Sequence, residues 1–247
     1  MTQPRAPLPA PALPAHPLPA PRAILFDWDN TLVDSWAVIH HAMTATFAAM
    51  DVRPWTLEET RRNVRKSARD SFPALFGERA DEATAVFYRT YEADHLAQLR
   101  ALPGAEAMLR ALAADGNLLL GVVSNKRGHL LRLEATALGW DKYFESLVGA
   151  NDASLDKPAP EVVDFALAGS GIAGGPAVWF VGDTDIDILC AYNSGCTSVL
   201  LRREAPAAGE FGPVSLGGHA DSCEAFARLA LAALEKRRVE PQIGDFA

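Results

Sequence analysis

The stretch ILFDWDNTLVDS, residues 24–35, constrains this chain more than any other. Ile24, Leu25 and Phe26 read as the end of a buried strand, and Asp27 and Asp29 follow at once. A buried carboxylate without a partner is costly. The strand must therefore open, at its carboxyl end, into a site that offsets negative charge. Residues two apart in an extended segment point the same way, so Asp27 and Asp29 can share that site.

The rest of the sequence supplies a frame for such a strand. Apolar runs at 23–27, 117–125, 144–149, 177–183 and 197–201 read as strands. Helical segments are expected over 35–50, around 56–70, over 79–100, from about 104 to a cap at Gly116, up to Gly139, in PEVVDFALAGSG, and over 222–236. From residue 104 strands and helices alternate, which predicts an α/β fold: a Rossmann-like, mostly parallel sheet with helices on both faces. Residues 35–100 are helical only and read as an inserted α-helical cap. The core is then 23–34 and 101–237, followed by a C-terminal tail, 238–247. Residues 1–22 carry a proline every two or three positions and read as an extended or disordered tail. Those prolines interrupt every stretch that could serve as a signal peptide.

Open parallel sheets bind ligands at the carboxyl ends of their strands. Asp27, Ser124 and the run Asp183, Asp185 and Asp187 in VGDTDID all fall at such ends. Two carboxylates about 4 Å apart repel by roughly 4 kcal/mol at an effective dielectric near 20. Several together need a hard divalent cation, for which Mg²⁺ with oxygen ligands and a substrate phosphate is the natural choice. Ser124, Asn125 and Lys157 supply donors and positive charge for an anion. Lys157, preceding Pro158, is expected beside a helix N-terminus. Acidic ligands for a metal together with a cationic anion site suit phosphoryl transfer.

The segments DWDNT, VVSNK, DKPAP and GDTDID, in this order, resemble the four motifs of the haloacid dehalogenase-like hydrolase superfamily, nearest to its phosphoglycolate phosphatase-like members. The resemblance spans about residues 23–235. It implies Asp27 as nucleophile and Asp29 as general acid and base. It implies Asp27, the Asp29 carbonyl, Asp183 and Asp187 around Mg²⁺, with Asp187 acting through a water. Ser124, the Asn125 N–H and Lys157 would hold the phosphoryl group, and Thr31 resembles the phosphatase form of the first motif. Asn30 stands where glycine is commonest and is expected to tolerate the left-handed turn. The expected activity is a Mg²⁺-dependent phosphatase of a small organic phosphomonoester, 2-phosphoglycolate being one candidate. A sugar phosphomutase of the same superfamily and a non-catalytic protein binding phosphorylated ligands are the alternatives.

In TRRNVRKSARDSF, Arg62, Arg65, Lys66 and Arg69 fall on one helical face by their i, i+3, i+4, i+7 spacing, and Lys66, Ser67 and Arg69 are assigned to the substrate's non-phosphate end. Lys126 and Arg127 are read as surface charges, Asp185 as a solvated or capping residue, and Trp28 as having no role beyond its backbone. Composition narrows the partners. The net charge of −8 and a pI near 5.2 do not attract nucleic acid or anionic membrane. No apolar run is long enough to span a bilayer. Three scattered cysteines, Cys190, Cys196 and Cys223, suit a reducing cytoplasm better than a disulfide framework. A small phosphorylated metabolite is the expected partner.

Overall fold

Strand β1 (Ala23–Phe26) is buried along its whole length, because it lies in the middle of a parallel sheet with helices on both faces. The computed structural model describes residues 18–239. The other strands are β2 (Leu119–Arg127), β3 (Ser146–Ala150), β4 (Val178–Gly182), β5 (Thr197–Leu201) and β6 (Gly218–Ala220), in the order β3-β2-β1-β4-β5-β6. All pair in parallel, and Phe26 lies opposite both Val122 and Val181. That register brings the ends of β1 and β4 level, so the residues after Phe26 and after Val181 meet.

The helices are α1 (Trp36–Ala49), α2 (Leu57–Asn63), α3 (Ala68–Phe76), α4 (Ala80–Gln98), α5 (Ala105–Ala113), α6 (Gly128–Leu138), α7 (Glu161–Leu167), α8 (Asp185–Asn193) and α9 (Cys223–Val239). The two-residue period of β1 divides the core. Ile24 and Phe26 pack with Met108, Leu131 and Phe226 under α5, α6 and α9. Ala23 and Leu25 pack with Val163, Leu167 and Cys190 under α7 and α8. Each large side chain withdrawn in this way stabilises the fold by roughly 1.5–3 kcal/mol. The insertion α1–α4 builds a separate cluster from Met43, Phe47, Phe72 and Tyr91, and Leu130 of α6 reaches up into it. Among the described residues no helix is long and apolar enough to cross a membrane.

The structure departs from the sequence expectations in four places. The sixth strand is short and carries no apolar run, only Gly-His-Ala. The helix expected over 56–70 is two helices. α2 ends at Asn63 with Val64 extended, and Ser67 starts α3 as an N-cap, its hydroxyl accepting from the Asp70 N–H at 3.4 Å. α5 ends at Ala113 with Ala114 as its cap, before Gly116. The proline-rich expectation for 1–17 and the tail from 240 lie outside the described residues. Residues 18–22 lie against the core: Leu18 packs on it, the Pro19 carbonyl accepts from Trp179 Nε1 at 2.9 Å, and the Arg22 N–H donates to the Ala177 carbonyl at 2.7 Å. Gly139 does close α6, with φ of 65°.

Candidate active site

Asp27 leaves β1 with its N–H still bonded to the Val181 carbonyl at 2.8 Å, so its side chain is fixed by the sheet. The chain then turns sharply. Asn30 takes φ of 64°, and the Leu32 N–H bonds back to the Trp28 carbonyl at 2.9 Å. The buried Lys157 Nζ lies 2.6 Å from Asp27 Oδ1 and 2.7 Å from Asp187 Oδ1. Thr31 Oγ1 donates to Asp27 Oδ2 at 3.4 Å. Asp187 caps α8, accepting at Oδ2 from the Thr184 N–H at 3.1 Å and from Thr184 Oγ1 at 2.8 Å. Its carboxylate folds against the end of β4 so closely that a Cβ on Gly182 would lie 2.2 Å from it, which is why that strand ends in glycine.

Asp183 completes the group. One oxygen each from Asp27, Asp183 and Asp187 lie within 4.8 Å of one another. Burial pushes the Asp27 carboxyl up to about 7, with Lys157 opposing and Asp187 adding to the rise. Burial, then Asp187 and Asp27, hold Asp183 well above the usual carboxylate range. Burial acts to lower the Lys157 ammonium, but Asp187 and Asp27 carry it above its ordinary value. Three carboxyl groups face one ammonium, so ionising all of them would leave an excess of negative charge in a poorly hydrated place. Hard oxygen donors at this separation fit a divalent cation such as Mg²⁺.

Asp29 lies beside this cluster but has partners of its own. Its Oδ1 accepts a very short hydrogen bond from Ser35 Oγ and lies 2.7 Å from Lys126 Nζ. Lys126 is therefore not a surface charge. β2 runs on to Arg127, two residues past its expected end, so Lys126 shares the inward face with Ser124, and both are buried. Arg127 stacks over the Tyr88 ring at 3.3 Å. Trp28 has a role beyond its backbone, for its Nε1 donates to Glu134 at 2.7 Å. Glu134, Tyr91 and His95 carry no motif signal in the sequence, although Trp28 and Lys126 lie within DWDNT and VVSNK.

A cavity of about 130 Å³ joins these groups to the helical insertion. Asp27, Asp29, Ser124, Asn125, Lys157 and Asp183 line its floor. Asn125 Nδ2 donates to the Arg65 and Lys157 carbonyls, each at 3.3 Å, while its buried Oδ1 has no partner among the described residues. Of the basic run, Arg65 and Lys66 line the cavity. Ser67 is occupied as the cap of α3, and Arg69 Nη2 lies 2.7 Å from the buried Asp156. The break at 64–67 is the reason these residues do not share one helical face. Asp185 is the first residue of α8, 3.5 Å from Arg65 Nε. Lys157 does not sit at a helix N-terminus: α7 begins at Glu161 behind Pro160, and the ammonium reaches the site on its own side chain.

The comparisons with known proteins agree with this geometry. A family model described as haloacid dehalogenase-like hydrolase matches residues 24–201. The chain is 33% identical over 183 residues to a phosphoglycolate phosphatase of Xanthomonas campestris, covering 72% of this chain and 82% of that protein. A phosphoglycolate phosphatase of Rhodospirillum rubrum is 32% identical over 193 residues, covering 73% and 79%. The fold also matches a haloacid dehalogenase-like hydrolase of Streptococcus pneumoniae with a TM-score of 0.72 at 23% identity, covering 83% of this chain and 97% of that one. The chain thus belongs to the haloacid dehalogenase-like hydrolases, as a phosphatase of the phosphoglycolate phosphatase-like kind.

Proposed function

We propose that the chain hydrolyses a small organic phosphomonoester through a phosphorylated Asp27, with Mg²⁺ bound by Asp27, Asp183, Asp187 and the Asp29 carbonyl. The observation that carries this reading is the convergence of three carboxylates and the Lys157 ammonium on one point, beside a fourth, Asp29, held by other partners. The cation would supply positive charge that keeps the clustered carboxylates ionised and offsets that of the phosphate.

The chain's own residues then divide the work. Asp27 attacks phosphorus, the bond from phosphorus to the ester oxygen breaks, and Asp29 gives that oxygen a proton. Ser124, the Asn125 N–H and Lys157 hold the phosphoryl oxygens while charge moves between them. Asp29, now a carboxylate, takes a proton from water. The water oxygen bonds to phosphorus, the bond to Asp27 breaks, and inorganic phosphate leaves. Helices α1–α4 act as a cap that closes the cavity and reads the leaving group. Arg65 and Lys66 at the cavity wall would suit an anionic leaving group such as that of 2-phosphoglycolate, the substrate in the names of the relatives. Three free cysteines suit a reducing cytoplasm.

The test is phosphate release from p-nitrophenyl phosphate and 2-phosphoglycolate, with Mg²⁺ and with a chelator. Turnover that needs Mg²⁺, and that Asp27→Asn abolishes in folded protein, is the expected result. Equal rates in Asp27→Asn, or in the chelator, would overturn the reading.

A further inference from the structure

Glu134 is the most heavily engaged carboxylate in the described chain, and no step of the reaction above uses it. It is 1% exposed. Oε2 accepts from Trp28 Nε1 at 2.7 Å and from Lys126 Nζ at 2.5 Å. Oε1 accepts from Tyr91 OH at 3.1 Å and from His95 Nδ1 at 2.8 Å. Each oxygen thus receives two donors, which fills the acceptor capacity of a carboxylate. The donors come from the loop after β1, from β2 and from α4, so the carboxylate on α6 ties the sheet edge to the insertion.

Tyr91 and Lys126 both line the cavity, and Lys126 is the donor that also pairs with Asp29. Lys126 Nζ lies 2.7 Å from Asp29 Oδ1, and 5.2 Å from the centre of the Tyr91 ring, which closes off one side of it. A lysine chain is flexible, and an ammonium offered a single carboxylate can swing with it. Held at 2.5 Å by a second, immobile carboxylate, it cannot. Asp29 Oδ1 is then fixed by Lys126 and Ser35, and Oδ2 is the oxygen left for the cavity that Asp29 lines.

We infer that Glu134 is a positioning residue: by gathering Lys126 with Tyr91 and His95 of α4 it fixes the carboxylate of Asp29 against the leaving oxygen, and does so only when α4 is seated on the core. This rests on the reading of Asp29 as the acid. Tyr91 and His95 supply both bonds to Oε1, so lifting α4 removes half of what holds Glu134 in place. The proton donor is set when the insertion is down over the substrate and loosened when it is raised. Proton transfer is steeply sensitive to such placement.

The test compares two esters through kcat/KM, which reports the steps up to transfer onto Asp27. A p-nitrophenolate leaves without a proton, whereas the alkoxide of 2-phosphoglycolate needs one. With Mg²⁺-loaded full chain, Glu134→Gln should lower kcat/KM for the alkyl ester by about 10²-fold and for p-nitrophenyl phosphate by less than about 10-fold. Lys126→Met should show the same selective loss. Tyr91→Phe removes one hydroxyl and little packing, and should lower the alkyl value a few-fold with the aryl value unchanged. Equal losses on the two esters in Glu134→Gln, or a silent Tyr91→Phe, would overturn the inference. Asp29→Asn sets the reference. If it fails to discriminate between the esters, the reading of Asp29 as the acid falls, and the inference falls with it.

Discussion

Two buried lysines lie at the same sheet edge and do opposite things. Lys157 stands among Asp27, Asp183 and Asp187, more carboxyl groups than one ammonium can balance if all ionise. Lys126 stands between Asp29 and Glu134, where Trp28, Tyr91 and His95 complete the shell of Glu134. The carboxylates respond accordingly. Burial and mutual repulsion push Asp27 and Asp183 up. For Glu134 burial pushes upward too, but Lys126 and the hydrogen bonds from His95 and Trp28 outweigh it, and the group ends below its ordinary value. One cluster is short of positive charge and suits a cation and a phosphate. The other is complete, and suits holding something still.

The contrast can be broken experimentally. The largest effect is expected from Lys157→Met, which leaves the first cluster with no ammonium. Its kcat/KM should fall at least 10³-fold, about 4 kcal/mol of barrier. A loss under tenfold in steady-state assays would mean that the ammonium is not needed. Next comes Glu134→Ala, which leaves Trp28, Tyr91 and His95 without their acceptor. Urea unfolding should show a loss of about 3 kcal/mol.

Acidity separates the clusters further. Folded Asp27 keeps its proton to about pH 7, whereas the unfolded chain releases it near 3.8. Between those values the folded state binds more protons, so raising the pH across that window destabilises the metal-free protein, by up to about 4 kcal/mol. Saturating Mg²⁺ should flatten that slope. Glu134, held low, contributes stability that is present above its unfolded value and lost as the pH falls through its folded value, so it adds little slope over the same window. Urea midpoints from pH 4.5 to 7, with and without Mg²⁺, measure the difference. The smallest effect has the opposite sign. Asp183→Asn removes a charge the metal-free fold disfavours, and should stabilise that form by about 1 kcal/mol while weakening Mg²⁺ binding. Destabilisation of the metal-free protein would contradict the charge excess assigned to this cluster.

The two clusters also differ in how far the sequence reveals them. Asp27 and Asp183 each follow a continuous apolar run, and parallel pairing sets strand ends side by side, so their meeting is legible. The second cluster depends on events with no local signature. β2 continues to Lys126 and Arg127 because Arg127 pairs with Ala150 after a shift of register, which a single strand's sequence does not announce. Trp28 lies 106 residues from Glu134, and His95 lies 39 residues from it. Their bond pattern follows from α4 packing near α6, a tertiary matter. The basic run at 62–69 fails for a nearer reason. Its spacing fits a helix, but Ser67 offers its own hydroxyl to the next turn and restarts the helix, turning Arg69 toward Asp156. The short β6 is invisible because it has no hydrophobic run to read.

The bond from Trp179 to the Pro19 carbonyl has a practical consequence. It anchors the incoming chain at the amino ends of the strands, roughly 13 Å along β1 from the carboxylates. A fusion partner or a surface tether joined ahead of Leu18 would hang from the rear of the molecule. Immobilised by that handle, the enzyme should leave its mouth facing the solution.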